Sequence, residues 1–201
     1  MNTEEVKVKV KLNSFEDMYK LAEKQFIEYE KIEGVDWKNY DFSIDTPEDQ
    51  LKFKDMLQIR CIEELTEAYE AFRNPQHFRE ELADSLNFFL SAFIMLGVDF
   101  KTMPEIDLFT DKPKIEPDEV AFITNCWDVT YKVGDLCNLL KNRPWSQSNY
   151  LVSMLDFNKR LKILWISFWN LIKWSMVTYD EVLEMFAKKY TVNNFRRDTG
   201  Y

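Results

Sequence analysis

Glycine and proline are scarce in this sequence, which contains 4 glycines and 6 prolines among 201 residues. Average usage would give roughly 24 of the two together. Because these residues supply most tight turns, the chain cannot form the many short connections of a sandwich, barrel or propeller. It also lacks the closely spaced glycines of a phosphate-cradling loop. The sequence therefore predicts a mostly all-α fold.

Length and charge narrow the class of protein further. With 201 residues, 46% of them hydrophobic, the chain can build one sizeable core, and we predict a single domain over residues 1–201. A formal net charge of −9 repels the phosphate backbone of nucleic acid, so we expect no nucleic acid partner. The single histidine, His77, excludes zinc sites built from several histidines.

The cysteines and apolar stretches indicate the compartment. Three cysteines, an odd number, favour free thiols in a reducing environment. The first 13 residues lack the continuous apolar stretch of a secretion signal. The most apolar stretch, residues 161–177, is interrupted by Lys162, Asn170 and Lys173 and is shorter than the roughly 20 residues that span a bilayer. We therefore expect a cytoplasmic protein with no membrane partner.

Helical spacing and capping residues predict six helices. Ser14 is the expected N-cap of the first helix and Gly34 its C′ residue, while Thr178 and Glu181 form a capping box at the start of the last. The polar tail after Tyr190 is expected to order over a bound ligand. Alternating residues at 6–12 and 40–44 predict a minor N-terminal strand that can pair with a second one. The predicted helices cover about residues 14–34, 46–74, 78–97, 118–141 and 148–176, and the last begins at 178.

Four acidic side chains on the second and third helices form the main candidate site. Glu64 and Glu67 lie three residues apart, as do Glu81 and Asp84, so each pair projects from one side of its helix. A short connection at Pro75 would pack these helices antiparallel, with the carboxylates facing one another. Crowded carboxylates need raised pKa values or bound cations. Oxygen ligands suit hard ions, so the pattern predicts Mg²⁺, with Mn²⁺ as the alternative.

Chance alone produces many acidic pairs in such a sequence. Thirty-five acidic residues placed at random give about six pairs with this spacing, and most such pairs are solvated helix faces. The Glu64/Glu67 and Glu81/Asp84 pairs differ from these because they lie on consecutive helices and each borders an apolar stripe. That combination favours a metal site over a solvated face, although the solvated face stays open as the alternative.

The acidic motifs resemble those of a known superfamily. The segments Glu63-Glu64-x-x-Glu67 and Glu81-x-x-Asp84 resemble the EExxE and ExxD motifs of the all-α NTP pyrophosphatases, which include MazG-like enzymes and dimeric dUTPases. Asp84-Ser-Leu-Asn87-Phe88 is similar to the D-x-x-[HN]-F continuation in the dimeric dUTPase branch. The resemblance implies a helical bundle that binds a nucleoside triphosphate with magnesium.

The C-terminal segment carries a second part of the resemblance. Lys189-x-x-x-Asn193-x-x-Arg196, followed by Gly200-Tyr201, resembles the tail of the dimeric dUTPase branch, especially of the dCTP/dUTP pyrophosphatases of tailed phages. The family commonly has glutamine after the arginine, whereas Arg197 stands here, so this position predicts a different phosphate-binding geometry. Deletion of residues 189–201 is expected to abolish activity and leave the fold intact.

The resemblance implies a specific activity and a specific set of site residues. The activity is Mg²⁺-dependent hydrolysis of dUTP, dCTP or both to the dNMP and diphosphate, which controls the dNTP pool, by a homodimer. Two alternatives stay open: a pyrophosphatase for another or a modified dNTP, and a non-catalytic interaction protein on the same scaffold. The implied residues are Glu64, Glu67, Glu81 and Asp84 for the metal, Glu64 and Glu67 for catalysis, Lys189, Asn193 and Arg196 for phosphate, and Asn87 and Gln25 for the nucleoside.

The second half of the chain can be laid over the first as a degenerate repeat. An active hairpin at about 47–97 then corresponds to a second hairpin at about 118–176, before the phosphate-binding tail at about 178–201. In that register Glu64, Glu67 and Glu81 fall on Lys132, Asp135 and Arg160, so the second copy cannot bind magnesium. The alternative is that any two amphipathic hairpins align in this way. The later tryptophans are expected to be mostly core residues: Trp127, Trp145, Trp165, Trp169 and Trp174.

Overall fold

Helices make up most of the described chain. The computed structural model describes residues 10–37, 47–104, 118–140, 153–175 and 177–199, and no strand occurs in these ranges. The all-α fold class is confirmed. The strand segments predicted at residues 6–12 and 40–44 lie outside the described residues, except for residues 10–12, which form no strand. The helices are α1 (Phe15–Glu33), α2 (Pro47–Lys54), a π-helical segment (Asp55–Cys61), α3 (Ile62–Glu70), α4 (Pro75–Met95), α5 (Glu119–Cys137), α6 (Met154–Trp174) and α7 (Tyr179–Thr199), with a 3₁₀ turn at Phe100–Thr102.

The predicted capping residues define the ends of two helices. The Ser14 hydroxyl accepts a hydrogen bond from the Asp17 backbone N–H (3.1 Å), and Gly34 ends α1 with φ +69°, a conformation that favours glycine. Glu181 Oε2 accepts from the Thr178 backbone N–H (2.8 Å), while the Thr178 hydroxyl accepts from the Glu181 N–H (3.3 Å). The capping box predicted before α7 is therefore confirmed.

Two of the helix boundaries that differ from the sequence prediction belong to helices with candidate site residues. Helix α4 begins at Pro75 rather than near Phe78, because Asn74 accepts from the His77 backbone N–H (3.5 Å) and proline suits the first helical position. Helix α7 continues through Tyr190 to Thr199 with several buried side chains. The expectation of a tail that orders only over a ligand is therefore wrong, since a helical face with apolar residues packs onto the core without one.

The predicted second helix is continuous but not uniform. It runs from Pro47 to Glu70, and its middle is the π-helical segment Asp55–Cys61. Such wide turns are rare and occur often at functional sites. Capping and hydrophobic spacing gave no signal for it, because both describe only the ordinary helical period.

Aromatic side chains join the two predicted hairpins. The Phe89 ring of α4 stacks on the Phe168 ring of α6 at a centroid distance of 3.9 Å, and Phe93 lies 5.1 Å from Trp165. At the start of α4, Phe78 lies 5.1 Å from Phe122 of α5. The second hairpin thus packs beside the first.

The tryptophans divide between core and surface. Trp165 and Trp169 are buried, which confirms their predicted core role. Trp127 and Trp174 are exposed, so the core prediction is wrong for these two. Trp145 lies outside the described residues. None of the described helices has the length and apolar character needed to cross a membrane.

The second hairpin carries an ion pair at the positions that correspond to the acidic motifs. Arg160 Nη1 donates to Asp135 Oδ1 (2.5 Å) and to the Asp135 carbonyl (2.7 Å). In the repeat register these residues occupy the places of Glu81 and Glu67. No group of three potential metal ligands lies within the described parts of this hairpin. The duplication stays a prediction, and this ion pair is what we would expect of a copy that has lost its metal.

Candidate active site

Three of the four predicted carboxylates come together between α3 and α4. Glu64, Glu81 and Asp84 each offer an oxygen, and these oxygens lie within 4.8 Å of one another. Their spacing depends on the contact between the two helices. Ser85 Oγ, next to Asp84, donates to the Cys61 carbonyl (3.1 Å) and lies 3.3 Å from Cys61 Sγ, so a buried hydrogen bond fixes one helix against the other.

Glu67 is not part of this group. It lies one turn beyond Glu64 on α3 and is exposed. The sequence spacing places both residues on one side of α3. It does not show that Glu81 and Asp84 come together beside Glu64 rather than beside Glu67, one turn further along the helix. The assignment of Glu67 as a ligand and catalytic residue stays a prediction.

The carboxylate group holds protons more tightly than isolated acids do. The pKa of Glu64 is raised to about 8, chiefly by burial. The Asp84 charge, a hydrogen bond with Glu81 and the charges of Glu81 and Glu67 contribute in the same direction. Burial also raises the pKa of Asp84, although Lys189 opposes that shift. Raised pKa values are one of the two ways in which crowded carboxylates can persist, and a bound cation would be the other.

Helix α7 brings the predicted basic residues to the same place. Lys189 forms an ion pair with Asp84, and Lys189, Asn193 and Arg196 line one cavity of about 420 Å³ together with Glu64 and Asp84. This spacing, i, i+4 and i+7, puts them on a single face of the helix. The structure therefore brings the predicted phosphate contacts opposite the predicted metal ligands.

The two predicted nucleoside contacts lie in different environments. Asn87 lines the cavity, one turn after Asp84 on α4. Gln25 is only 2% exposed and is not among the cavity residues, although its neighbour Phe26 is. Within the described chain, Gln25 Nε2 has no hydrogen bond partner.

Several cavity residues were missed by the sequence analysis. Trp37 lies on the wall of the cavity, and Lys52 Nζ is 4.1 Å from the centroid of the Trp37 ring. The Trp37 backbone N–H donates to Glu30 Oε1 (2.6 Å). No motif marks Trp37, since it follows the end of α1 in an irregular segment. Arg60 comes from the π-helical segment. Five more residues that the sequence did not assign to a site also line the cavity: Phe26, Tyr29, Phe88, Asp55 and Met56.

Arg197, the departure from the family pattern, is turned away from this cavity. It forms an ion pair with Glu28 of α1 and a second one with Asp198 (3.0 Å). Arg196, one residue earlier, lines the cavity. The substitution therefore ties α7 to α1, and nothing in its contacts alters the phosphate-binding face.

The donor set fits a hard divalent cation. The ligand group consists of carboxylate oxygens alone, which Mg²⁺ and Mn²⁺ prefer. His77 is the nearby nitrogen donor: its Nδ1 lies 3.0 Å from Glu81 Oε1, and its side chain is half exposed. Because that nitrogen contacts Glu81, the potential ligands of this group are still carboxylate oxygens.

Together, the fold and the cavity define an all-helical protein with a cleft suited to a polyphosphate and a divalent cation. The model of the dUTPase family matches residues 69–201, about two thirds of the chain, and the chain belongs to that family. No curated protein and no solved structure matches it. The matched part includes Glu81, Asp84 and the basic face of α7, and it begins after Glu64 and Glu67.

The stability of the metal-free protein should depend on the ionisation of Glu64. Its pKa rises from 4.5 to about 8 on folding, so its contribution is complete below pH 4.5 and is lost as the pH rises toward 8. The Glu64→Gln variant cannot ionise at this position and so avoids this loss of stability, and its melting temperature should exceed that of the wild type increasingly over that range. Thermal denaturation with a chelator across pH 5–9 measures the difference.

The matched control for this experiment is Glu63→Gln. Glu63 is half exposed and lies 3.3 Å from Arg60, outside the carboxylate group. Its melting profile should parallel that of the wild type. Parallel profiles for Glu64→Gln and the wild type would mean that Glu64 carries no raised pKa.

Proposed function

We propose that this protein is a Mg²⁺-dependent deoxynucleoside triphosphate pyrophosphatase that converts dUTP, dCTP or both to the dNMP and diphosphate and so controls the dNTP pool. Membership of the dUTPase family supports a dUTP pyrophosphatase-type activity. The observation that carries the proposal is one cavity with acidic ligands on α3 and α4 and a basic face on α7. We place the enzyme in the MazG-like, tailed-phage branch that its motifs resemble, as a cytoplasmic homodimer.

The proposed metal ligands are Glu64, Glu81 and Asp84, with Glu67 as a fourth from the adjacent turn. A bound Mg²⁺, or Mn²⁺, would neutralise phosphate oxygens and favour attack by water. Three carboxylates repel one another when all are ionised, and this repulsion adds to burial in raising the pKa of Glu64. The same repulsion favours a divalent cation at this point.

Residues of α7 and α3 bind the triphosphate and assist its hydrolysis. Lys189 and Arg196 offer cationic donors and Asn193 an amide, all from one helical face, which suits the outer phosphates. We assign removal of a proton from the attacking water to Glu64 or Glu67. Attack at the α-phosphorus, which the family resemblance implies, breaks the bond to the bridging oxygen, and the diphosphate leaves along the α7 face.

The aromatic wall supports a nucleoside ligand rather than inorganic polyphosphate. Trp37 and Phe88 present ring surfaces on which a base can stack, and the Asn87 amide offers both a donor and an acceptor to a base edge. Gln25 is proposed as a contact to the sugar or base, because its buried Nε2 would gain the partner that it lacks among the described residues.

We propose that residues 1–201 act as one domain with an active and an inactive hairpin. The carboxylate ligands come from the first hairpin, and the second contributes Phe122, Trp165 and Phe168 to the common core. In this division of roles the second hairpin supports the first and binds no metal itself.

The test of the proposal is product analysis across a panel of dNTPs with and without Mg²⁺. We expect dUTP or dCTP to give the monophosphate and diphosphate only when the metal is present. Preference for another or a modified dNTP would replace the substrate assignment while keeping the reaction. Absence of hydrolysis of every dNTP would overturn the enzymatic proposal in favour of an interaction protein.

Two neighbouring arginines allow substrate binding to be separated from stability. Arg196→Gln should raise the KM for the dNTP about 10- to 100-fold, since a hydrogen bond to a charged group contributes roughly 1.5–3 kcal/mol. Its melting temperature should change little, because the Arg196 side chain is exposed in the cavity. Steady-state kinetics and thermal denaturation give the two values.

Arg197→Gln is the control and should behave in the opposite way. Loss of its ion pair with Glu28 should lower the melting temperature slightly and leave the KM near the wild-type value. An equal effect of the two variants on KM would contradict the assignment of Arg196 to phosphate binding.

A further inference from the structure

The Lys189 side chain is bound to one of the proposed metal ligands. Its ammonium group forms an ion pair with Asp84 Oδ2, and the two side chains are only 21% and 14% exposed. Asp84 is also one of the three residues whose carboxylate oxygens lie within 4.8 Å of one another. Because Lys189 belongs to the α7 face that is proposed to hold the triphosphate, its ammonium group has two possible partners.

The Lys189 ammonium occupies a carboxylate that a divalent cation in this group would need. Two positive charges side by side on Asp84 repel each other, and water screens them little because both side chains are largely buried. A lysine can avoid this repulsion by moving, since its charge is a point charge at the end of a flexible four-carbon stem. We therefore expect the ammonium group to leave Asp84 when the carboxylates coordinate a metal ion.

The surroundings of Lys189 leave room for this movement. Lys189 lines the active cavity of about 420 Å³ together with Asn193 and Arg196. It also lines a neighbouring cavity of about 410 Å³ between α4 and α7, and Arg196 is on the wall of that cavity too. Asn193 is one turn further along α7, about 6 Å by the rise of an α-helix, so phosphates bound there are within reach of the Lys189 stem.

The preceding residue makes a similar ion pair outside the carboxylate group. Lys188 Nζ lies 3.1 Å from Glu80 Oε1, and both side chains are partly exposed. Among the described residues, Glu80 is not one of the potential metal ligands, and Lys188 lines the neighbouring cavity but not the active one. Lys188 and Lys189 thus differ in whether their acidic partner on α4 belongs to the proposed metal site.

We propose that Lys189 exchanges between Asp84 and the triphosphate, so that metal and substrate bind cooperatively. In the metal-free protein its ammonium group neutralises Asp84, and once the carboxylates coordinate a metal ion it binds phosphate oxygens instead. Each ligand then raises the affinity for the other, as linkage requires. When the diphosphate leaves, Lys189 returns to Asp84 and weakens the hold of the carboxylates on the metal ion. The proposal rests on the proposed function, because it takes the carboxylates as a metal site and α7 as the phosphate-binding face.

Mn²⁺ titration without nucleotide, followed by the EPR signal of the free ion, tests the competition for Asp84. Lys189→Met removes the ammonium group and keeps a long side chain, so it should bind Mn²⁺ at least about fivefold more tightly than the wild type, the lower end of usual coupling between sites. Lys188→Met is the matched control and should bind Mn²⁺ as the wild type does. Equal affinity of Lys189→Met and the wild type would overturn the proposal. So would an equal gain in both variants, since loss of positive charge alone would then explain it.

Lysine acetylation of the wild-type protein follows the ammonium group itself and needs no variant. After brief treatment with acetic anhydride, fragment mass spectra should show that Mg²⁺ alone increases acetylation of Lys189, because the amine leaves its buried carboxylate. Acetylation of Lys188 should not change. Mg²⁺ together with a dUTP analogue that carries an imido group between the α- and β-phosphates should protect Lys189. Acetylation of Lys189 that does not respond to Mg²⁺ would overturn the exchange.

Hydrolysis of dNTPs by the same wild-type samples separates the two proposals. Exchange of Lys189 without hydrolysis of any dNTP would overturn the enzymatic proposal and leave the cooperative binding in place. Hydrolysis without a response of Lys189 to Mg²⁺ would overturn the exchange and leave the enzymatic proposal in place.

Discussion

Glu81→Gln is expected to lower dNTP hydrolysis by on the order of a thousandfold, while the melting temperature of the metal-free protein stays the same or rises. An amide cannot offset the charge of a bound cation, so the metal affinity and the turnover fall together. Stability responds differently, because Glu81 lies against Glu64 and Asp84, and removal of one charge relieves the repulsion among the three. Turnover assays with saturating Mg²⁺ and thermal denaturation with a chelator give the two quantities.

The neighbouring residue provides the control for this prediction. Glu80 pairs with Lys188 (3.1 Å) and lies outside the carboxylate group. Glu80→Gln should retain turnover and lose at most a little stability, because both side chains are about one third exposed and an ion pair that water reaches contributes little. Full Mg²⁺-dependent turnover in Glu81→Gln would contradict the metal assignment.

Deletion of residues 189–201 should cost stability as well as activity, which corrects the expectation from the sequence that this deletion leaves the fold intact. The deletion removes the Lys189 ion pair with Asp84 and the buried side chains of Tyr190 and Val192, which are 5% and 7% exposed. Burial of two such side chains contributes roughly 3–6 kcal/mol, so the melting temperature should fall by roughly 10 °C or more. Differential scanning calorimetry measures this fall.

A shorter deletion separates the buried part of α7 from its end. Removal of residues 198–201 keeps the Arg197 ion pair with Glu28 and takes away the exposed Asp198 and Thr199. That protein should melt close to the wild type and retain turnover. Unchanged melting of the longer deletion would show instead that the end of α7 is a dispensable tail.

The sequence predicted the elements whose signals are local. Ser14, Gly34 and the Thr178–Glu181 box mark helix ends through hydrogen bonds within one turn, and the structure contains each of them. The i, i+4, i+7 spacing of Lys189, Asn193 and Arg196 likewise needs only a continuous helix to form a single face. Both kinds of feature follow from helical geometry alone.

Features that depend on packing between distant segments were not predicted. Trp37 reaches the cavity only because the chain after α1 meets Lys52, and no periodic pattern describes that contact. Burial of the α7 end was missed because its apolar residues are interspersed with polar ones. The exposure of Glu67 was missed for a related reason: spacing along a helix identifies a side of it, whereas packing decides at which level a site forms.

The most direct measurement of the central claim is the fate of labelled water during hydrolysis of dUTP in H₂¹⁸O. If Glu64, Glu81 and Asp84 hold a cation that favours attack at the α-phosphorus, the wild type should place the label in dUMP and none in the diphosphate, only when Mg²⁺ is present. Mass spectrometry of the two products detects it. Label in inorganic phosphate or diphosphate, or equal labelling of dUMP in the presence of a chelator, would contradict the account.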